Sequence, residues 1–550
     1  MFHHNTGAQD RLLRNLIDSP QLLGALKTVI ENAKIFGSNV WIGAVNIVSS
    51  FIHSEPTSYN VIAEAGLSKG ILDAVTAAPV DVGQKETSGP RGILPVSETM
   101  KDIPIAFGAI CLNDQGLKMF QESDALATFL SVFTSLDHVK ALEDDQESAQ
   151  HIGQSFDELV RHHPPLKDQV SKAVISMIQD VVRACNNRAQ QRGIGVKLWY
   201  QGEPGVEFVA GGPKALRGVS TEELERAWLH DNADIHSQTR DDGQDWMVDA
   251  SNTAVAASAL ESDALTNGRT SGRSSSDVIS VACKFLSGYF ANTGMLNDFC
   301  AANGVELLLD LATCACNPWH FHELSTFDEM TRLFKQIAEV KPHLVLPSLV
   351  HRTERALFVL EPMMSERGRE RPYFESFTTP KEGISSAVSP KILLNGTYTV
   401  KALVSVQVLC NILADVLTMP TFQAHRPAAN TFFSQINLTD VYISLNLRLG
   451  VLHSACIWEE ILMQNAMPEE WKNKTKVHGM LYGNSEANKV MGEVSATSKP
   501  RNAHNQEDGN TDDNGASSDT PVSGSEFDKR FSAAYKNTET LRYLLSQIPA

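Results

Sequence analysis

The stretch that decides the fold runs from Gly37 to Ala78 and reads GSNVWIGAVNIVSSFIHSEPTSYNVIAEAGLSKGILDAVTAA. Its first apolar residues recur at three- and four-residue spacing, which places them on one face of a helix. Pro56 ends that helix, and Gly66 suits the left-handed residue that closes a second, shorter one. Leu67 begins a third apolar stripe. The stretch therefore predicts a unit of long helix, corner, short helix, glycine and helix.

No helix of this unit can bury its apolar stripe alone, so each needs a stacked neighbour. The same order of elements returns at residues 277–311, where Gly304 is expected to end the short helix. The repeat has no fixed period, as in irregular armadillo or HEAT arrays. The predicted class is all-α, an irregular armadillo/HEAT-like helical solenoid with long disordered insertions and no strand.

Changes in composition divide the chain into segments. Residues 187–276 are dominated by Gly, Ser, Asp and Glu, and such a segment buries too little apolar surface to offset the entropy of ordering. The predicted segments are an armadillo-like helical block at 1–186, a disordered insertion at 187–276, a second armadillo-like block at 277–465 with a loop at 365–390, a disordered polar tail at 466–535 and a short terminal helix at 536–550.

Two local expectations concern the first block. Asp102 is expected to cap a helix in which Pro104 occupies the first turn, where proline is tolerated. Residues 137–154 are polar and acidic, and Asp144, Asp145 and Glu147 are expected to form a solvated loop.

The formal net charge is −18, which argues against nucleic-acid binding, because that function needs clustered Lys and Arg. An acidic surface favours basic protein partners instead. The eight cysteines are scattered through apolar runs, which indicates a reducing compartment, so a cytoplasmic or nuclear location is expected. The apolar run from Thr399 to Met419 carries Lys401, Asn411 and Asp415, which favours a core helix over a membrane span.

The strongest candidate for chemistry is a group of four metal-ligand types within nine residues: Cys314, Cys316, His320 and His322. Zinc binding is one interpretation, although the spacing is not that of a standard zinc finger. A loop between two helices explains the same residues and is favoured. No cofactor and no catalytic residue are expected, since phosphate-binding, dinucleotide and His-Glu-x-x-His motifs are all missing from the sequence. His162 and His163 are interpreted as cations at a helix end.

Several short blocks resemble one family, in order along residues 10–465. The blocks are Glu55-Pro56-Thr57 with Glu64-Ala65-Gly66-Leu67, Ile103-Pro104 through Ala109-Ile110-Cys111-Leu112-Asn113 with Gly116-Leu117, Asp157-Glu158-Leu159-Val160-Arg161-His162-His163-Pro164, and Phe299-Cys300 through Gly304 with Leu307-Leu308. Together they resemble the armadillo-like segment near the N-terminus of giant HECT-type E3 ubiquitin ligases of the Mule type and their fungal relatives.

The resemblance implies a non-catalytic scaffold that docks protein substrates for a HECT-type ligase and works with the rest of that ligase. In the family a separate HECT domain carries ubiquitin on a cysteine, and nothing in this sequence resembles that domain. We therefore expect no enzyme activity in this chain, which looks like a fragment of a larger ligase. The alternative is a free-standing armadillo-type adaptor without ligase activity, and a third class is an enzyme that uses the Cys/His group.

Overall fold

The computed structural model describes most of the chain and leaves several segments undescribed. The described residues are 20–54, 59–76, 92–189, 195–196, 198–203, 206–209, 275–365, 369–379, 390–422, 438–468 and 532–548. They are predominantly helical, so the predicted all-α class is confirmed. The corner at Pro56, the bulk of the predicted insertion and most of the predicted polar tail lie outside the described residues.

The helices before the predicted insertion are α1 Pro20–Glu31, α2 Ala33–Phe36, α3 Ser38–Ser54, α4 Tyr59–Glu64, α5 Leu67–Thr76, α6 Ser97–Cys111, α7 Asp114–Glu122, α8 Ala125–Leu130, α9 Leu136–Asp144, α10 Ser148–His162 and α11 Lys167–Arg188. Those after it are α12 Ser275–Tyr289, α13 Thr293–Ala301, α14 Gly304–Ala312, α15 Ser325–Val340, α16 Pro342–Val359, α17 Glu361–Ser365, α18 Glu375–Thr378, α19 Pro390–Leu417, α20 Leu438–Ala466 and α21 Ser532–Ser546.

One β-hairpin interrupts this helical pattern. Strand β1, Trp199–Glu203, pairs antiparallel with β2, Val206–Val209, with an irregularity between Gln201 and Glu203. The expectation of no strand was therefore wrong at this place. The same hairpin orders part of the predicted disordered insertion, because two paired strands satisfy each other's backbone hydrogen bonds.

The chain divides into two compact units that differ from the predicted segments. The described residues within 1–194, 273–352 and 411–439 form the first unit, and those within 195–272, 353–410 and 440–550 form the second. Helices α12 to α15 thus belong with the helices that precede the insertion, because they continue the packing of those helices. Helix α21, predicted at the end of a disordered tail, belongs to the second unit.

Within the first unit the helices pack as two parallel series. The long helices follow the order α3, α6, α10, α12 and α15, each in contact with the next, and a second series follows the order α1, α5, α8, α11 and α14. Along the sequence, these ten helices belong alternately to one series and to the other. This is the packing expected of stacked helical repeats, in which each repeat contacts its neighbours.

The two predicted glycine stops have different structures. Gly66 has a φ of 75°, as predicted for the residue between α4 and α5. In the second instance the left-handed residue is Asn303, with a φ of 67°, and Gly304 instead begins α14. Gly304 is required for a different reason, since a Cβ there would overlap the ring of Phe299, with Phe299 Cζ at 2.6 Å.

One local expectation in the first unit was wrong. Helix α6 begins at Ser97, so Pro104 lies inside the helix and Asp102 is no cap; its carboxylate accepts a hydrogen bond from Asn46 Nδ2 at 2.8 Å. The loop expected at Asp144, Asp145 and Glu147 is present between α9, which ends at Asp144, and α10, which begins at Ser148. The rest of the polar stretch 137–154 is helical, because tertiary burial of one face of α9 outweighs its polar composition.

Helices α10 and α12 approach each other most closely at two glycines. A Cβ on Gly153 would overlap the carbonyl oxygen of Phe285 and lie 2.7 Å from the Tyr289 nitrogen. A Cβ on Gly288 would overlap the carbonyl oxygen of Gln150 and lie 3.1 Å from the Gln154 nitrogen. The two backbones therefore meet directly, although the predicted insertion separates the two helices in sequence.

Helix α19 contains a long apolar segment. Residues Gly396–Leu417 are long and apolar enough to cross a membrane, but 67% of their most apolar window is buried within the protein. The segment also buries polar side chains, including Thr397, Thr399 and Gln407. It has the character of a core helix, as the polar residues of its sequence indicate.

The α10–α12 contact predicts a large penalty for a single added methyl group. We expect Gly153→Ala to lower the free energy of unfolding by about 1–3 kcal/mol, since the clash is with backbone, which cannot rotate away. Gly43→Ala in α3 is the matched control, because a Cβ there meets nothing within 4 Å, and it should be neutral or raise stability by about 0.5–1 kcal/mol. Urea denaturation followed by circular dichroism measures both. Equal stability of the two variants would contradict the direct backbone contact.

Candidate functional site

All eight cysteines of the chain are free and buried. Burial raises the pKa of Cys111, Cys283 and Cys410 to about 12 and that of Cys300 to about 11. Burial likewise raises the pKa of Cys456. Because the thiolate is the nucleophile, these thiols are unsuited to attack on a thioester or to metal binding.

The predicted Cys/His group is brought together only in part. The Sγ atoms of Cys314 and Cys316 lie 3.4 Å apart, and Cys314 Sγ lies 3.4 Å from Asn186 Oδ1. Their third partner is Cys185 of α11, a residue that the sequence pattern did not single out. The hydrogen bond between Cys185 and Cys314 is the main reason that the pKa of Cys185 lies well above its ordinary value. The hydrogen bond between Cys185 and Cys316 likewise raises the pKa of Cys316.

The two histidines of that group are placed differently from the thiols. The ring of His320 packs edge-on against Trp319, with centroids 4.8 Å apart, and burial lowers its pKa. His322 Nε2 lies 3.7 Å from Glu323 Oε1. Among the described residues no group of three or more His, Cys, Asp or Glu is arranged to hold a metal ion. The thiols act instead as a small apolar cluster that joins α11 to the loop after α14.

Two buried histidines in the first unit connect loops to helices. His138 Nε2 lies 3.0 Å from the carbonyl oxygen of Ile93, so Nε2 carries the proton, and Nδ1 accepts from the hydroxyl of Ser135 at 2.7 Å. His163, expected as a cation at a helix end, is buried and hydrogen-bonds to the backbone of Gly108. Burial lowers the pKa of both histidines, which favours their neutral forms.

A buried arginine joins α14 to α16 in the first unit. Arg352 Nη1 lies 3.0 Å from Asp310 Oδ1, and Arg352 Nη2 lies 2.7 Å from Glu306 Oε2. The Arg352 and Asp310 side chains are 6% and 3% exposed. Removal of one partner of such a pair leaves a buried charge uncompensated, which costs about 3–5 kcal/mol.

In the second unit, two adjacent glutamates of α20 each hold an arginine from a distant segment. Glu459 accepts hydrogen bonds from the backbone nitrogens of Tyr373 at 2.8 Å and Phe374 at 3.0 Å, and its carboxylate lies 3.2 Å from Arg369 Nη2. Desolvation raises the pKa of Glu459, although these three donors oppose the shift. Glu460 Oε1 lies 3.1 Å from Arg542 Nη2 of α21. The sequence gives no local signal for these residues, because their partners are more than eighty positions away.

Exposed large apolar side chains are concentrated at two places in the described chain. Helices α1 to α3 expose Leu22, Ile35, Phe36, Val40 and Ile47, and helix α20 exposes Tyr442, Ile443, Leu447 and Trp458. Surfaces of this type are common in proteins that bind other proteins.

The stacked helices define an all-α protein of the helical-solenoid type. The family model of the Domain of Unknown Function (DUF913) matches residues 1–320, and the chain belongs to this family. It matches the N-terminal region of giant HECT-type E3 ubiquitin ligases.

Three relatives illustrate the match. The "E3 ubiquitin-protein ligase TOM1-like" of Neurospora crassa is 27% identical over 98% of this chain and 14% of its own length. The ligase ptr1 of Schizosaccharomyces pombe is 41% identical over 32% of this chain and 5% of its own length. The ligase HUWE1 of Mus musculus is 27% identical over 32% of this chain and 4% of its own length. The chain thus spans a small fraction of each relative.

The neutral state of His138 predicts a loss of stability in acid. Its pKa in the folded chain lies below the ordinary value of 6.5, so below about pH 6.5 the unfolded chain binds a proton that the folded chain does not. The free energy of unfolding should therefore fall as pH decreases from 6.5, with a slope of at most about 1.4 kcal/mol per pH unit for this one group.

His138→Gln should reduce this slope. It should not abolish the slope, because burial also lowers the pKa values of His163 and His320, and both histidines remain in the variant. The exposed His151→Gln of α10 is the control and should leave the slope unchanged. Urea unfolding between pH 7.5 and 5 measures all three proteins. An unchanged slope in His138→Gln would show that this ring already titrates normally in the folded protein.

Proposed function

We propose that this chain is a non-catalytic segment that docks protein substrates for a HECT-type E3 ubiquitin ligase. Its relatives carry the name E3 ubiquitin-protein ligase, and the match covers nearly the whole of this chain in the Neurospora protein. Because the chain spans only 14% of that relative, the ligase reaction itself is assigned to other parts of such a protein.

The observation that carries the proposal is the state of the eight thiols. A HECT-type ligase accepts ubiquitin on a cysteine, and such a nucleophile must be accessible and able to reach the thiolate form. Every cysteine here is buried, and burial or thiol–thiol hydrogen bonding raises the pKa of seven of them. The stacked helices of the first unit provide an extended surface on which substrates can bind.

Basic proteins are the proposed substrates. The net charge of −18 creates a field that attracts basic partners and repels nucleic acid. Binding of this type weakens as salt is added, because the Debye length shortens from about 10 Å at 0.1 M to about 3 Å at 1 M. We propose the cytoplasm or the nucleus as the site of action, and the buried free thiols support this proposal.

The alternative is a free-standing armadillo-type adaptor, which the same helical stacking would serve. The reading frame downstream distinguishes the two. A HECT domain in the same frame supports the ligase segment, whereas a natural stop and no ligase among captured partners supports the adaptor.

The proposal predicts that this chain receives no ubiquitin from a charged conjugating enzyme. Incubation with ubiquitin-charged enzyme, followed by non-reducing gel electrophoresis, should give no adduct that a thiol reductant removes. A HECT domain from any characterised ligase is the positive control. A reductant-sensitive adduct that disappears when one of the eight cysteines is changed to alanine would refute the non-catalytic assignment.

Substrate docking needs a separate measurement. Proteins captured by this chain at low salt should be enriched in basic proteins and should be lost at 0.5 M salt. Where the frame continues into a ligase, removal of these residues should lower ubiquitination of the captured proteins while leaving ubiquitin loading of the HECT cysteine unchanged. Equal ubiquitination with and without the segment would reject the docking role.

A further inference from the structure

Helix α21 contacts the second unit through one apolar face. Leu541, Leu544, Leu545 and Ile548 are each at most 4% exposed. Their spacing of three and four residues aligns them along a single stripe. The helix lies against strand β1 and helix α18, both of which are far from it in sequence.

Polar anchors fix the position of α21 on this surface. Arg542, 3% exposed, donates from Nε and Nη2 to Glu460 Oε1 at 3.3 and 3.1 Å. Asn537, 1% exposed, donates from Nδ2 to the carbonyl oxygen of Phe377 at 3.1 Å. A buried carboxylate and a buried carbonyl thus select an arginine and an amide at set positions on the helix, which apolar contact alone would not do.

Helix α21 is distant in sequence from the residues that it contacts. Residues 467–531 separate it from α20, the helix that supplies Glu460, and the hydrogen bonds of Asn537 and Arg542 reach back 160 and 82 positions. An isolated helix of this length is marginal in water, so its helical state depends on the surface that it occupies. These are the features of a short helical ligand bound to a separate surface.

We propose that the second unit contains a helix-binding site, formed by Glu460, the carbonyl of Phe377 and strand β1, and that α21 is its ligand in cis. In trans the site accepts an amphipathic helix of the same chemistry. Such a helix has leucines at positions i, i+3 and i+4, an arginine at i+1 that pairs with Glu460, and an amide four positions before the first leucine. A tethered ligand competes at an effective concentration set by its linker, so the helix in cis limits access for any partner in trans.

The test uses the full chain and a fluorescent peptide of residues 530–550. Leu541→Asp and Leu545→Asp together remove the helix in cis from its site. We expect the peptide to bind this opened chain at least ten times more tightly than the wild-type chain, by fluorescence anisotropy. Circular dichroism and urea unfolding confirm that the opened chain is folded. A folded opened chain without peptide binding would overturn the proposal.

Charge reversal tests the anchor independently of the leucines. An Arg542→Glu peptide should bind the opened chain at least ten times more weakly, and Glu460→Arg in the opened chain should reverse this preference between the two peptides. An unrelated helical peptide that keeps only the three leucines, the arginine and the amide should also bind. Equal binding of both peptides to both chains would reject Glu460 as the determinant of specificity.

Hydrogen exchange on the unmodified chain provides a second route that does not depend on folding of the variants. If α21 leaves its site reversibly, its amides should exchange faster than those of α20, and excess peptide 530–550 should increase that exchange further. Equal protection of the two helices, unaffected by peptide, would show that α21 is a permanent part of the core and would overturn the proposal.

Discussion

The direct backbone contact of α10 with α12 at Gly153 and Gly288 is the constraint on which the first unit depends. Glycine at both positions lets the helices approach until backbone meets backbone, and this brings the rings of Phe156 and Phe285 to 5.9 Å between centroids. Further ring contacts continue on both sides, through Phe129 and Phe107 in one direction and Tyr289 and Phe290 in the other. The insertion therefore interrupts the sequence of the helical stack without interrupting its packing.

A salt bridge also joins α12 to α9, the helix that precedes α10. Lys284 of α12, 11% exposed, lies 3.0 Å from the carboxylate of Glu143 in α9, and the hydroxyl of Ser280 donates to that carboxylate at 3.1 Å. Glu143 immediately precedes the residues that the sequence assigns to a solvated loop. Its role becomes visible only when α12 returns across the insertion, because a salt bridge between residues 143 and 284 has no local signature in the sequence. The pair is partly buried, so solvent screens it less than a surface pair.

The sequence was informative wherever structure is decided locally. Apolar spacing located α3 and α5, and Gly66 was recognised as a left-handed residue. It was misleading wherever a distant partner decides. The left-handed residue is Asn303 and not Gly304, which instead lies against the ring of Phe299. Pro104 lies within α6, where Met100 and Ile103 are buried. The thiol cluster followed the same rule, since Cys314 and Cys316 were singled out but Cys185 was not.

The adjacent side chains of Glu459 and Glu460 on α20 are chemically identical but have different partners. Glu459 is fully buried and accepts two backbone N–H groups as well as Arg369, so it fixes the loop that carries these donors. Glu460 pairs with Arg542 of α21, and an arginine on another helix of suitable shape could take the place of Arg542. A carboxylate committed to backbone stabilises one structure, whereas a carboxylate committed to a side chain can distinguish between ligands. That difference makes Glu460 the residue where this unit can select a partner.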